Sequence, residues 1–301
     1  MPLTPEQQAD IDSQRATPRQ TLRAVSEGME AHLYVAHPVL DHGLVRVIDY
    51  MGDDSAICQA ARVSYGKGTK SVQNDEGLIR YLMRHWHSTP FEMCEVKFHV
   101  KLPVFVARQW IRHRMANVNE YSARYSILDR EFYIPAPEHL AAQSSQNNQG
   151  RGEVLQGDEA QRVLDLLRDD AMRSYDNYEA MLSQDGQQGL ARELARMNLP
   201  ANIYTQWYWK TDLHNLLHFL RLRADSHAQY EIRAYAEVMC DITRDWVPAA
   251  FGAFRDYRMD AVSLSAQAAA ALKRRLAGEV VTQETSGMGA REWREFQEVW
   301  G

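Results

Sequence analysis

From Cys94 to Leu102 apolar and polar residues alternate without a break. Cys94, Val96, Phe98, Val100 and Leu102 face one way, and Glu95, Lys97, His99 and Lys101 face the other. A period of two means a strand with one side in a core and the other toward water. Such a strand has to be covered on its apolar side by further elements, and the flanking sequence supplies them. Leu44–Met51 reads as a second strand, ended by Gly52-Asp53-Asp54, and Ile203–Trp209 as a third, aromatic one. Helical spacing runs through Ser55–Val63 and Glu76–His85, the latter with Leu78, Leu82 and His85 on one face. Pro103 suits the first turn of a helix reaching about Arg112. Val163, Leu164, Leu167, Ala171, Tyr175, Tyr178 and Leu182 recur at three and four, which predicts a long amphipathic helix. A shorter helix over Gln188–Met197 stops before Pro200. Leu213, Leu216, Leu217 and Leu220 form another stripe; Glu231 to about Trp246 continues as helix, and Ala261–Ala277 reads as an alanine-rich terminal helix. Without strict strand–helix–strand alternation, the class is α+β, helix-rich and mixed, in a single domain.

The periphery reads differently. Residues 1–35 are polar, carry Pro2, Pro5 and Pro18, and are expected to form a poorly ordered N-terminal extension. Residues 36–260 make the main domain and 261–301 a C-terminal helical extension. Gln143–Gln149, followed by Gly150 and Gly152, reads as a surface loop. Net charge is −6, from 34 Lys+Arg against 40 Asp+Glu, which argues against a generic nucleic-acid coat. Cys58, Cys94 and Cys240 are too few and too scattered for a disulfide framework or a thiolate zinc site. The first residues have neither a basic nor an apolar leader pattern, and no run of about 18 apolar residues occurs. The expectation is a cytoplasmic protein with no membrane or nucleic-acid partner and no metal.

Chemistry concentrates in Arg108–Arg124, R-Q-W-I-R-H-R-M-A-N-V-N-E-Y-S-A-R, where four arginines and one glutamate give a local charge of +3. Guanidinium forks suit phosphate oxygens, and Ser122 and Arg124 stand two apart, as a hydroxyl and a fork on one phosphate would. A solvated basic helix end is the plain reading. Trp110, Ile111 and Tyr121 among the charges favour a planar anionic ligand instead. His85-Trp86-His87 is either a pair of metal ligands or an aromatic loop with satisfied imidazoles. His214 and His218 stand four apart, but Asn215 fills the slot where a zinc hydrolase carries its glutamate, so imidazoles lining a ligand groove fit better. A helix ends near Ala224 and another starts at Asp225 or Ser226. Arg223 at that junction either pairs with a carboxylate or points at a substrate carbonyl.

Arg112-His113-Arg114, then seven residues, then Ser122, resembles the signature of the flavin-dependent thymidylate synthases. So do N-E-x-S-x-R-Y (Asn119–Tyr125), H-x-T-P-F-E (His87–Glu92), F-V-A-R-Q-W (Phe105–Trp110), E-F-Y-I-P (Glu131–Pro135) and L-R-A-D-S-H-A-Q (Leu222–Gln229), in family order over about residues 36–255. The resemblance implies a homotetramer with active sites built from several subunits. It implies FAD as cofactor, NADPH and 5,10-methylenetetrahydrofolate as co-substrates, and methylation of dUMP without a cysteine nucleophile. By the same resemblance Thr89, Arg112, His113, Arg114, Glu120, Asp212, Leu213, His214 and His218 would contact flavin. Gln109, Trp110, Ile111, Arg112, Glu120, Tyr121, Ser122, Ala123, Arg124 and Arg196 would contact dUMP, and Arg223 would act on its pyrimidine. The chain has Asp212-Leu213-His214 where some relatives have Asn-x-Arg, and His218 where they have Asn. Two rival readings are a basic aromatic nucleic-acid-binding module around Arg108–Arg124, and a metalloenzyme built on His85, His87, His214 and His218.

Overall fold

The computed structural model describes residues 4–64, 75–145, 150–182 and 188–301. Its strands are β1 (Ala36–Val39), β2 (Gly43–Met51), β3 (Glu95–Pro103), β4 (Asn117–Glu120), β5 (Ala141–Gln143), β6 (Arg151–Val154) and β7 (Tyr204–Asp212). Five make one antiparallel sheet in the order β1-β2-β3-β7-β4, and β5 and β6 pair as a separate hairpin. β3 sits at the centre, and its buried and less buried residues alternate as its sequence requires. Its register with β7 sets Phe98 opposite Trp209 and Val100 opposite Trp207, so aromatic rings tile the inner face.

In chain order the helices of the chain are α1 (Pro5–Arg15), α2 (Glu27–His32), α3 (Asp54–Val63), α4 (Asp75–Arg84), α5 (Thr89–Glu92), α6 (Val104–Trp110), α7 (Gly157–Met181), α8 (Arg192–Ala195), α9 (Leu213–Arg223), α10 (Tyr230–Trp246), α11 (Pro248–Phe254), α12 (Ala266–Leu276), α13 (Gln283–Ser286) and α14 (Ala290–Trp300). Helices such as α9 and α10 cover the inner face of the sheet. α9 buries Leu213, Leu216, Leu217 and Leu220, and α10 adds Ile232, Tyr235, Ala236 and Met239 to the same core. Trp110, from the last turn of α6, is fully buried between them, with its ring stacked on Phe219 at 4.6 Å and edge-on to Trp207, Trp209 and Tyr235. Each such aromatic pair contributes about 1 kcal/mol beyond its buried area. This knot therefore fixes α6 against α9.

Several expectations need correction. α4 buries Ile79, Leu82 and Met83, and His85 lies beyond its end, exposed. The Gln143–Gln149 stretch begins at the end of β5, part of it lies outside the described residues, and Gly152 is inside β6. α8 spans only Arg192–Ala195 before a tight turn over Arg196–Asn198, and α12 starts at Ala266, capped by Ser265. The N-terminal stretch is more built than its composition suggests. Thr4 caps α1 in a reciprocal box with Gln7. Met29 of α2 is fully buried, the Ser26 hydroxyl donates to Trp246 O at 2.9 Å, and a Cβ at Gly28 would stand 2.0 Å from Asp245 O. Only glycine lets α2 lie that close to α10. β1, β4 and α11 escaped the sequence reading because they are short.

The chain divides into two compact units, one ending at Met259 and the other Asp260–Gly301. The second has its own small core of Ala268, Ala271, Val281, Met288 and Phe296, with Arg275 over the rings of Trp293 and Phe296. Among the described residues, no helix is long and apolar enough to cross a membrane.

Candidate active site

Strand β4 organises the residues that the sequence singled out. Among the described residues it is an edge strand paired only with β7, and its four residues are all exposed. At about 3.3 Å per residue its ends are about 10 Å apart. Each end carries a distinct group.

At the first end, the turn after α6 meets the end of α9. Thr211 anchors this turn by donating from Oγ1 to Met115 O at 3.0 Å. Arg223 Nε donates to His113 Nε2 at 3.0 Å, and His113 packs edge-on against Phe219 at 5.0 Å and His218 at 6.0 Å. An accepting Nε2 assigns the neutral ring with its proton on Nδ1. Burial, then the charges of Arg223 and His218, push the His113 pKa down to about 4. Burial and the neighbouring Arg112 lower that of Arg223. Among the described residues no carboxylate pairs with Arg112 or Arg223. A cluster of cationic groups that depress one another is a place prepared for an anion.

The rest of that end is structural support. Asp212 caps α9, accepting from Asn215 N at 2.9 Å and Asn215 Nδ2 at 2.8 Å, which accounts for the asparagine in the zinc-hydrolase glutamate slot. Leu213 is fully buried and its N–H donates to Cys94 O, so its side chain is part of the core. His214 is half-buried and His218 exposed on one face of α9. Thr89 is exposed at the start of α5, which packs against α9. Arg114 is exposed beside Met115.

At the second end, the Glu120 carboxylate accepts from Thr205 Oγ1 at 2.8 Å and Tyr121 N–H donates to Gln206 O. The chain then turns: Ser122 O accepts from the N–H groups of Tyr125 and Ser126, and Ser122 Oγ accepts from Arg124 N at 3.3 Å. Glu120, Tyr121, Ser122, Thr205 and Arg196 line a cavity of about 510 Å³, walled by Val104, Leu199, Pro200 and Ile203. That volume lies within the range of small-ligand sites. Arg124 is not in the wall; its Nε is 3.3 Å from Glu193 Oε2 and its guanidinium lies over Tyr125. Gln109 holds a buried Oε1 with no hydrogen-bond partner, an acceptor awaiting a donor.

The structure thus gathers Arg112, His113, His218 and Arg223 at one end, and Glu120, Tyr121, Ser122 and Arg196 at the other. It turns the side chains of Trp110 and Leu213 into the main core, while Ala123, buried beside Tyr175 and Tyr178, still lines the cavity wall. Ile111 is exposed. Sequence reasoning missed Thr205 and the Leu199–Ala201 wall. Thr205 had a readable signal, a polar residue on the strand face that Trp207 and Trp209 share; the wall had none. His85, His87, His214 and His218 form no metal-sized cluster; among the described residues no group of three His, Cys, Asp or Glu does. Burial pushes the thiols up, Cys58 to about 11 and Cys94 and Cys240 to about 12, which leaves them poor nucleophiles.

Known proteins resemble this chain in sequence and fold. The profile of the family described as "Thymidylate synthase complementing protein" matches residues 46–249. A protein of Ruegeria pomeroyi named flavin-dependent thymidylate synthase is 79% identical over 301 residues, covering 100% of both chains. One of the same name from Gluconobacter oxydans is 64% identical, covering 99% of this chain and 98% of the other. Among solved structures, the UMP/dUMP methylase PolB of Streptomyces cacaoi bound with 5-Br dUMP superposes with a TM-score of 0.67 at 31% identity, covering 73% of this chain and 97% of that one.

Proposed function

The chain belongs to the thymidylate synthase complementing protein family, and from that premise we propose that it is a flavin-dependent thymidylate synthase. It would convert dUMP to thymidylate with FAD as cofactor, 5,10-methylenetetrahydrofolate as carbon donor and NADPH as reductant. The observation that carries this reading is the pairing of an uncompensated cationic cluster with a nucleotide-sized cavity along one exposed strand.

FAD fits the first end, because its diphosphate would provide the negative charge that Arg112 lacks there. Arg112, His113, Arg114, Thr89, His214 and His218 are assigned to hold it, with Glu120 reaching from β4 and Asp212 acting through the cap of α9. Bound flavin supplies the reducing equivalents that turn a methylene into a methyl group.

dUMP is assigned to the cavity. Ser122 Oγ accepts the Arg124 N–H, which leaves its own proton free to donate to a phosphate oxygen. Arg196 lines the same wall. The Arg124–Glu193 pair is half-exposed on both sides; such pairs contribute under about 1 kcal/mol, so a phosphate can recruit the guanidinium. Gln109 and Tyr121 complete the contacts. Among the described residues Arg223 is held through Nε alone, so its two terminal amino groups are available to the pyrimidine. A guanidinium at O4 and N3 stabilises the negative charge that develops as C5 becomes nucleophilic.

We also infer a homotetramer in the cytoplasm. Met115, Tyr125 and Met197 stand exposed around the two ends, apolar side chains that assembly would cover. The test is an absorbance spectrum of the purified protein, then NADPH with and without dUMP and folate donor. Flavin bands that bleach on reduction, and thymidylate formed only in the full mixture, are expected. A colourless protein that takes up no FAD and forms no thymidylate would overturn the reading.

A further inference from the structure

Helix α4 ends in an unusual residue. The His87 N–H donates to Leu82 O at 3.0 Å and the Trp86 N–H to Met83 O at 3.3 Å. That is the double bond pattern of a helix closed by a left-handed residue, a slot that glycine normally fills. Trp86 occupies it with φ 63°. A bulky side chain in left-handed backbone is strained, and strain of this kind persists where the surroundings or a function require it. Burial does not supply the reason, since 69% of Trp86 is exposed.

One face of the indole is covered. The Arg258 guanidinium lies 3.5 Å from the ring centroid, and it is pinned there by donating to Tyr257 O and Met83 O. Arg221 is close enough to lower the Arg258 pKa further after burial has done so. Among the described residues neither arginine has a carboxylate partner. Arg221 follows His214 by seven and His218 by three, so all three share one face of α9. An open indole face, backed by one unpaired guanidinium and flanked by another, is the equipment for stacking a flat anionic ring.

We propose that Trp86 is a stacking platform for the planar heteroaromatic ring of an anionic co-substrate, with Arg221 and Arg258 meeting its negative charge. The ring is either the pterin of the carbon donor or a ring of the pyridine dinucleotide. This proposal rests on the enzyme reading only for its choice of ligands.

The test uses protein reconstituted with FAD and titrated separately with folic acid and with NADP+ by calorimetry. Trp86→Ala is expected to weaken one of the two by about tenfold or more, and which one weakens identifies the ring. Flavin occupancy and oligomeric size should stay unchanged, and Trp86→Phe should recover most of the affinity. Trp86→Gly should melt above Trp86→Ala, because it relieves the left-handed strain, while binding as weakly. Unchanged affinity for both ligands in Trp86→Ala overturns the proposal, as does a fall in flavin occupancy in step with the loss, or a change in oligomeric size. Wild-type protein that takes up no flavin would count against the enzyme reading alone, and the same titrations on the flavin-free chain would still test the platform.

Discussion

Acidification should find His113 reluctant to take a proton. The ring accepts from Arg223 Nε and sits near His218, and its pKa lies at about 4 against an ordinary 6.5. The folded state thus disfavours the imidazolium. Between pH 6.5 and 4 the unfolded chain binds the proton more readily, so stability falls as pH drops through that window and levels off below it. The displacement corresponds to at most about 3 kcal/mol, and solvent reaching this half-buried ring reduces it to about 1–2 kcal/mol. The assay is NMR titration of histidine-labelled protein, with His113→Gln to assign the signal. The expected result is a neutral ring at pH 6, protonated on Nδ1 and bare at Nε2. Adding dUMP or FAD, both anionic, should raise the pKa by offsetting the arginines. A His113 that titrates at 6 or above, or that carries its proton on Nε2, would refute both the Arg223 hydrogen bond and the uncompensated cluster.

Trp110→Ala should cost about 3–5 kcal/mol in denaturant unfolding, because the ring is fully buried among four others. Trp110→Phe should be far milder, since the indole N–H is buried without a partner, and should keep dUMP affinity; a tenfold loss of affinity in a stable Phe variant would return Trp110 to the ligand site. Ser122→Ala should weaken dUMP binding about fivefold to tenfold through one lost phosphate contact, measured by calorimetry, and an unchanged constant would remove that hydroxyl from the site. Arg223→Ala should depress thymidylate formation far more than flavin occupancy; collapse of the flavin absorbance instead would move the arginine to the cofactor. Replacing Cys58, Cys94 and Cys240 with Ala should leave turnover largely intact in a folded protein, whereas total loss would indicate a thiol mechanism.

Local regularities were readable in the chain itself. Alternation in β3, the leucine stripe of α9 and the spacing of α10 each depend on neighbours within a few residues, and each element formed where its pattern lies. Where the reading went astray, competing contacts decided. α4 buries Ile79 and Met83, set by its neighbours and not by its own best stripe. The polar N-terminal stretch is anchored by Met29 and Gly28, two residues that composition averages away.

The amino-acid order determined which residue types carry chemistry, and the motifs singled out Arg112, His113 and Arg223, which fold into one cluster, and Ser122 and Arg196, which share a cavity wall. It did not reveal that Trp110 and Leu213, embedded in the same motifs, turn inward, because a motif does not show which face of a helix will be covered. Only folding decided that His113 would hold an arginine 110 residues away, and that Glu120, Arg196 and Thr205 would share one wall. The physical reason is range. Backbone propensity and periodicity act over one or two turns, whereas the charge and shape of a pocket come from segments joined only when the sheet and its helices close on a common core.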